Sequence, residues 1–318
     1  NVKLNDNRTF KAELVGRDPN TDIAILKIKA DNLSWLKYGD SDNLKIGDWV
    51  LAVGNPFNLT STVTAGIVSA KGRNLPLINS DYSIESYIQT DAALNPGNSG
   101  GALVDTKGAL IGITSAIISP SGSYAGYSFA IPVSIVKKVV DDIRQFGTVQ
   151  RALMGIKMTQ VSQQEAEKQN ITELKGALIS EVTEGGAAAG ANLKENDIIT
   201  KIDGVLIGSP TDLQEQIGKH RPGDRIMVTY FRNGKENNVQ LTLKNIAGNT
   251  NVVTRGMGVD EIFGARFETL SSLEKQYLKV DNGVKIIEVN DGWFKDQGLK
   301  KGTIIINING KKVNSTED

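Results

Sequence analysis

Short runs of alternating or β-branched apolar residues fill about the first 130 residues and predict a β-rich domain. Examples are FKAELVG, DIAILKIKA, WVLAVG, GALIGITSAIIS and SFAIP, which are separated by turn residues such as Asn-Pro and Lys-Gly. The period changes only after Pro132, where VSIVKKVVDDIRQFG predicts a helix that ends at Gly147. The apolar face of that helix consists of Ile135, Val136, Val139, Val140, Ile143 and Phe146.

Two segments beyond Gln150 repeat each other. Residues 176–204 align with residues 283–310 through the pattern G-x-x-I-x-E-V, then L-K, then I-I-x-x-I-x-G. A spacing of about a hundred residues is longer than the period of about 20–50 residues in a solenoid, so the repeat predicts two copies of one small domain. A helix and a strand follow the first copy, whereas the second stops at Asp318. We therefore expect a truncated C-terminus.

Charge and composition exclude several classes of function. The chain has 36 Lys plus Arg and 36 Asp plus Glu, so it lacks the basic footprint of a nucleic-acid-binding protein. It has no cysteine and one histidine, His220, which excludes a thiol nucleophile and a multi-histidine metal site. The longest uncharged stretch is interrupted by SPSGSYAGYS and is too polar to span a membrane. We expect no metal, no cofactor and no transmembrane segment.

The stretch NPGNSGGAL, residues 95–103, surrounds Ser99 with three glycines just before an apolar strand. Glycine weakens a strand, so the backbone there must turn sharply or approach another group closely. A serine hydroxyl becomes a nucleophile when a base takes its proton and donors stabilise the oxyanion. The amides of Gly97 and Ser99 are suitable donors. The alternative is a glycine-rich turn without chemistry.

Three separated motifs resemble the HtrA/Deg family of serine proteases. They are DPNTDIAILKI (18–28), AVGNPF (52–57) and TDAALNPGNSGGAL (90–103), and they occur in the family's order. The resemblance extends over the whole chain and implies a mainly β fold. A trypsin-like double β-barrel with an incomplete first barrel would occupy residues 1–147. Two small α+β PDZ-like domains would follow at 148–248 and 249–318, the second incomplete.

The same resemblance implies that Ser99 is the nucleophile, Asp22 its acidic partner, and Gly97, Asn98 and Ser99 the oxyanion hole. Because Asp22 precedes the apolar run Ile23–Leu26, we expect it at the edge of a core, where burial requires a hydrogen-bonded partner such as an imidazole. The alternative is a carboxylate that caps the strand by bonding to backbone.

The catalytic histidine of such a triad is absent from residues 1–150, and His220, at a predicted helix end, is interpreted as structural. Either residues upstream of Asn1 are missing or the protease is degenerate. About four strand candidates precede NPFNLT, where the first barrel should end, and a closed barrel of six would need two more. Missing upstream residues explain both deficits. Residues 1–318 alone should be nearly inactive, since losing the histidine costs about a millionfold in kcat in an unrelated serine protease.

The expected specificity pocket has apolar walls. Ala93 lies six residues before Ser99, where trypsin's basic specificity requires an aspartate, so we expect cleavage after small aliphatic residues. The predicted walls are Ala92, Ala93, Leu94, Ile113, Thr114, Ser115 and Ala116. By resemblance, loops 71–86 and 119–128 are sensor and activation loops; otherwise they are ordinary surface loops.

Each PDZ-like unit should bind a peptide C-terminus by adding it as a strand. Leu213 and Ile217 lie four residues apart and are either groove or core residues. The expected binding residues are Leu153, Met154, Gly155, Ile156, Leu213 and Ile217 in the first unit, and Phe263, Gly264 and Ala265 in the second.

Taken together, the resemblance implies an ATP-independent serine endopeptidase of envelope protein quality control. Such an enzyme degrades unfolded or misfolded polypeptides in the bacterial periplasm, has chaperone activity, and works as a homotrimer or larger assembly. The alternative is a catalytically inactive chaperone or peptide-binding scaffold.

Overall fold

The computed structural model describes residues 1–55, 61–75, 78, 83–118, 124–168, 175–254, 264–290 and 293–316. The first unit contains ten strands and one helix in this part of the chain. They are β1 (Val2–Lys3), β2 (Thr9–Phe10), β3 (Ala12–Asp18), β4 (Ile23–Ile28), β5 (Trp49–Gly54), β6 (Thr62–Arg73), β7 (Tyr87–Thr90), β8 (Ala102–Asp105), β9 (Leu110–Ile117), β10 (Ser128–Pro132) and α1 (Val133–Phe146).

Six of these strands close into an antiparallel barrel in the order β10-β7-β6-β5-β8-β9. Its interior is an apolar cluster that includes Val50, Val68, Ile88, Leu103 and Ile111. The expected mainly β fold is therefore confirmed. The position of β5 before NPFNLT predicts that it belongs to the first barrel, and that prediction is wrong, because β5 pairs with β6 and β8 in the closed barrel. The strands before it form two separate pairs, β1–β2 and β3–β4.

The predicted helix is confirmed as α1. Its apolar face, with Ile135, Val139 and Ile143, packs on a second cluster that contains Tyr87 and Phe129 from the barrel. Gly147 ends the helix in the left-handed conformation, with φ 77°, and its N–H donates to the Ile143 carbonyl. The same cluster reaches Ile23 at the start of β4, so α1 ties the β3–β4 pair to the closed barrel.

The first PDZ-like unit is a sheet with the order β11-β12-β13-β15-β16, and α4 packs against β11 and β12. Its elements are β11 (Ile156–Gln160), α2 (Gln163–Lys168), β12 (Ala177–Val182), α3 (Ala187–Gly190), β13 (Ile198–Ile202), β14 (Val205–Leu206), α4 (Pro210–Gly218), β15 (Arg225–Arg232) and β16 (Lys235–Thr242).

The second unit repeats the beginning of the first, as the sequence repeat predicts. In both, a strand, a four-residue helix and another strand follow in order. Its elements are β17 (Ala265–Thr269), α5 (Ser272–Leu278), β18 (Val284–Val289), α6 (Trp293–Asp296), β19 (Ile304–Ile305), β20 (Asn307–Ile308) and β21 (Lys311–Lys312).

Candidate active site

The glycines around Ser99 build a sharp turn between β7 and β8. Gly97 and Gly100 have φ of 105° and 85°, a region that favours glycine. A Cβ on Gly101 would lie 2.2 Å from the Val53 carbonyl oxygen, so β5 approaches the turn too closely for any side chain. The Gly100 N–H donates to the Thr114 carbonyl at 2.7 Å. The turn is thereby fixed to β9 and presents an exposed Ser99.

Two amides of this turn are open to a ligand. Within the described residues, the N–H groups of Gly97 and Ser99 donate no hydrogen bond, as an oxyanion hole requires. Asn98 does not fit this role, because its N–H donates to the Asn95 carbonyl at 3.0 Å. The buried Asn98 side chain instead lies against Gly54, where a Cβ would be 2.4 Å from Asn98 Oδ1. The prediction that the Asn98 amide belongs to the oxyanion hole is therefore wrong.

Ser115 in β9 brings Ser99 and Asp22 to the same place. The Ser99 hydroxyl donates to the Ser115 carbonyl at 2.8 Å. The Ser115 hydroxyl donates to Asp22 Oδ2 at 3.4 Å. The predicted nucleophile and the predicted carboxylate therefore contact the same residue. Sequence reasoning placed Ser115 only in a pocket wall, since nothing in a strand sequence tells which loop its hydroxyl reaches.

Asp22 is exposed, which contradicts the expectation of a carboxylate at a buried edge. Residues just before Asp22 are buried instead. Thr21 is 1% exposed, and its hydroxyl donates at 2.6 Å to the buried Asp18. Asp22 itself has φ 57°. This left-handed residue ends the turn and directs its carboxylate away from the core while Ile23 enters it.

The negative charge of Asp22 also affects the pKa of Tyr87, a buried residue of β7. Burial first, and then the charges of Glu85 and Asp22, raise the pKa of Tyr87 to about 12. A phenol with that pKa stays protonated at neutral pH and cannot act as the general base.

His220 lies just after α4, and its described contacts are within the first PDZ-like unit. Its Nδ1 is 3.5 Å from Asp224 Oδ2, and its Nε2 is 3.8 Å from Asp203 Oδ2. These contacts with carboxylates of its own unit agree with the interpretation of His220 as a structural residue.

Only part of the predicted pocket wall is accessible. Ala92 and Leu94 are 0% and 3% exposed and belong to the barrel core, so their assignment to the pocket surface is wrong. Ala93, which lies between them, is partly exposed, because successive side chains of an extended segment point to opposite sides. Thr114 is also buried, and its hydroxyl donates at 2.5 Å to the Asn98 carbonyl, which supports the turn rather than the pocket. The other partly exposed wall residues are Ile113, Ser115 and Ala116.

The first PDZ-like unit has an open edge next to its candidate carboxylate loop. β11 is the terminal strand of the sheet, so one side of it can receive an added strand. Gly155 precedes it with φ 75°, and its carbonyl accepts the Thr183 N–H at 2.9 Å. Ile156 is partly buried against the core. Leu153 exchanges two backbone hydrogen bonds with Lys244, at 2.8 and 3.1 Å.

Three other predicted groove residues lie in the core of this unit. Met154, Leu213 and Ile217 are 4%, 1% and 8% exposed, in one cluster. Their burial favours the core alternative for Leu213 and Ile217 and places Met154 in the same core.

In the second unit, Gly264 repeats the conformation of Gly155. Its φ is 74°, and its carbonyl accepts the Asn290 N–H at 2.6 Å. Ala265 is fully buried. Phe263 lies outside the described residues.

The described ranges contain neither a metal-binding cluster nor a membrane-spanning helix. No group of three or more His, Asp or Glu side chains is arranged to hold a metal ion there. None of the helices in those ranges has the length and apolar character needed to cross a membrane.

Two family models match the chain. Residues 1–113 match a trypsin-like peptidase domain, and residues 152–243 match a PDZ domain. Over its whole length, the chain is 40% identical to a probable periplasmic serine endoprotease DegP-like of Marinomonas sp., of which it covers 67%. It is 42% identical to a probable periplasmic serine protease do/HhoA-like of Haemophilus influenzae, of which it covers 66%. The chain thus spans about two thirds of the length of these relatives.

Solved structures give the same result. The HtrA-type protease AlgW with a tripeptide matches with a TM-score of 0.61 and 41% identity, over 76% of this chain and 79% of that one. AlgW with a decapeptide matches with a TM-score of 0.57 and the same identity, over 76% of this chain and 74% of that one.

Proposed function

Because this chain belongs to the HtrA family of periplasmic serine proteases, we propose that it is an ATP-independent endopeptidase whose nucleophile is Ser99. Asp22 orients the base, and the amides of Gly97 and Ser99 form the oxyanion hole. The supporting observation is that Ser115 contacts both Ser99 and Asp22. Two groups that are 77 positions apart in sequence thus contact one residue, and Ser99 belongs to the turn that carries the two open amides.

Each proton in the proposed reaction has a source and a destination. The Ser99 hydroxyl gives its proton to an imidazole while Oγ bonds to the scissile carbonyl carbon. The amides of Gly97 and Ser99 stabilise the oxyanion that forms. The imidazolium then returns the proton to the amine nitrogen as the C–N bond breaks. Water repeats the sequence on the acyl-enzyme and releases the acid product. Residues 1–150 contain no histidine, so the imidazole is supplied from outside them.

The accessible pocket residues support a preference for small aliphatic side chains before the cut. Ala93 and Ala116 are partly exposed, whereas Ile113 packs against the cluster under α1. None of the three carries a charge that would bind Lys or Arg. The substrates would be unfolded or misfolded polypeptides, because only an extended chain presents a free strand to such a site.

The PDZ-like units would bind C-terminal peptides along β11 and its counterpart β17. The two AlgW structures contain peptides, which supports this role here. We further propose that the protein acts as a homotrimer or larger assembly with chaperone activity, on the basis of family membership. The proposed domain limits remain 1–147, 148–248 and 249–318.

The test uses the natural full-length protein, unfolded casein and a serine-directed phosphonate. We expect casein cleavage to stop with the phosphonate and in Ser99→Ala, while Ser162→Ala, in the first PDZ-like unit, cleaves normally. A peptide library cut mainly after Lys or Arg would contradict the proposed specificity.

The second candidate is a scaffold without peptidase activity. It is favoured by one observation: the only histidine of the sequence, His220, is paired with carboxylates in the first PDZ-like unit. If the protein is a scaffold, the wild type and Ser99→Ala should suppress the aggregation of unfolded casein equally well, and neither should cleave it.

A further inference from the structure

One tyrosine outside the predicted catalytic residues is hydrogen-bonded to one wall of the candidate specificity pocket. Tyr124 lies in the segment that leads into β10. Its hydroxyl donates to the Asp91 carbonyl, and its backbone N–H donates to Asn95 Oδ1 at 3.4 Å. Tyr124 is therefore bonded to both ends of the stretch 91–95, which includes the accessible wall residue Ala93.

That stretch is itself held firmly on the barrel. The Asp91 carboxylate accepts the Ile67 N–H at 2.7 Å, and the Thr64 hydroxyl donates to the Ala93 carbonyl at 2.8 Å. A Cβ on Gly66 would lie 2.2 Å from the Ala92 nitrogen, so β6 and this wall are in close contact. The Asp91 carbonyl thus lies on a wall that is already fixed, and the hydroxyl bond to it determines where the end of the Tyr124 ring lies.

Asn95 connects the tyrosine with the oxyanion turn. Its side-chain oxygen accepts the Tyr124 N–H, and its carbonyl accepts the Asn98 N–H at 3.0 Å. The Asn98 bond closes the turn that presents the Gly97 and Ser99 amides. A change in the position of Tyr124 would therefore act on the amides through a single residue.

We propose that Tyr124 is a positioning and specificity-determining residue: its hydroxyl bond to Asp91 places its ring at the pocket wall that contains Ala93, and its N–H bond to Asn95 holds the oxyanion turn in its open-amide form. This inference rests on the proposed function of Ser99. Tyr124 touches neither reacting atom, and it acts through Asp91 and Asn95. Burial and the charge of Asp91 raise the pKa of the Tyr124 hydroxyl, so it remains a donor at neutral pH.

The test compares Tyr124→Phe with Tyr127→Phe in the natural full-length protein. Tyr127 lies in the same segment and is half exposed, and the described residues offer its hydroxyl no hydrogen bond. With peptides carrying Ala, Val, Leu or Phe before the cut, we expect Tyr124→Phe to lower kcat for Val about fivefold to tenfold, as for one lost hydrogen bond. The preference for Val over Phe should fall by a similar factor, because the freed ring no longer limits the pocket. Tyr127→Phe should behave as wild type.

A second pair of variants separates positioning from folding. Asn95→Asp retains an acceptor oxygen for the Tyr124 N–H, whereas Asn95→Ala does not. We expect Asn95→Asp to keep most of the activity and Asn95→Ala to resemble Tyr124→Phe, with similar thermal unfolding temperatures for all variants. The inference is overturned if Tyr124→Phe keeps the wild-type kcat and the wild-type preference for Val over Phe although Ser99→Ala is inactive. Activity that survives in Ser99→Ala would overturn the proposed function instead.

Discussion

At the scale of single residues, Ser115 has two separable roles at the site. Its carbonyl accepts from Ser99 and its hydroxyl donates to Asp22, so a side-chain change affects only the second contact. We expect Ser115→Ala to lower kcat about fivefold with little change in KM, since one net hydrogen bond contributes about 1 kcal/mol. Steady-state kinetics on a peptide with Val before the cut measures this change.

Two further variants test that interpretation of Ser115. Ser115→Thr keeps a hydroxyl and should recover most of the rate. Ser134→Ala removes a comparable hydroxyl contact, to Ser41 at 3.1 Å, at the start of α1, and should leave kcat unchanged. A loss in Ser134→Ala equal to that in Ser115→Ala would indicate general destabilisation.

Gly54 is the second residue whose identity is dictated by a contact at the site. A Cβ there would lie 2.4 Å from Asn98 Oδ1 and 2.9 Å from Asn98 Cα, so the oxyanion turn must shift. We expect Gly54→Ala to destabilise folding by about 1–3 kcal/mol and to lower kcat further than that loss explains. Denaturant unfolding and kinetics together measure both effects. Gly190→Ala, where a Cβ meets nothing within 4 Å, should change neither.

At the scale of elements, the sequence predicts a feature correctly when residues close together in the chain determine it. The helix α1 follows from its own periodicity and from Gly147, and its predicted limits agree with Val133–Phe146. The assignment of β5 to the first barrel fails because strand pairing is set by partners distant in sequence. The roles of Ala92 and Leu94 fail for a related reason, since only the packed barrel shows which side of that segment is filled.

The helix α5 carries a pH-dependent cap in the second unit. The hydrogen bond from Lys285 and two from Ser271 lower the pKa of Glu274 to about 2. Because a carboxyl with a depressed pKa stabilises the fold above its unfolded value of 4.5, this stabilisation should be lost as the pH falls from 4.5 towards 2. We expect hydrogen exchange in residues 271–279 to accelerate over that range, relative to Glu274→Gln at each pH.

A second Glu→Gln substitution in the same unit, at Glu288, is the control for the predicted pH dependence of α5. Glu288 is paired with Arg266 at 3.3 Å across β17 and β18 but caps no helix. Glu288→Gln should therefore retain the wild-type pH response in residues 271–279. Equal responses in wild type and Glu274→Gln would contradict the proposed cap.

At the scale of the whole molecule, buried polar groups join α1 to the first PDZ-like unit and to the segments around Gln150 and Val253, which precede and follow that unit. Gln150 is 1% exposed, and its side chain bonds to both backbone groups of Val253, at 2.6 and 2.9 Å. The fully buried Asp142 accepts the Gln150 N–H at 2.8 Å and pairs with Lys138 at 2.8 Å and with Arg221 Nε at 2.7 Å. Because Arg221 is the contribution of the first PDZ-like unit, this network fixes that unit against α1.

Arg221 and Arg232 allow that arrangement to be tested with closely similar substitutions. Each guanidinium pairs with a buried aspartate and lies over an aromatic ring. Arg221 pairs with Asp142 and lies 5.2 Å from the centre of the Phe146 ring. Arg232 pairs with Asp197 and lies 5.0 Å from the centre of the Tyr230 ring. Of the two arginines, only Arg221 makes contacts that cross between the units. We expect Arg221→Ala to increase the radius of gyration in solution scattering, because Asp142 keeps Lys138 and Gln150 while the PDZ-like unit is released. Arg232→Ala should lower the thermal stability of that unit at an unchanged radius. An unchanged radius in Arg221→Ala would mean that other contacts between the units, Lys219–Asp42 and Gln214–Ser83, hold them together without it.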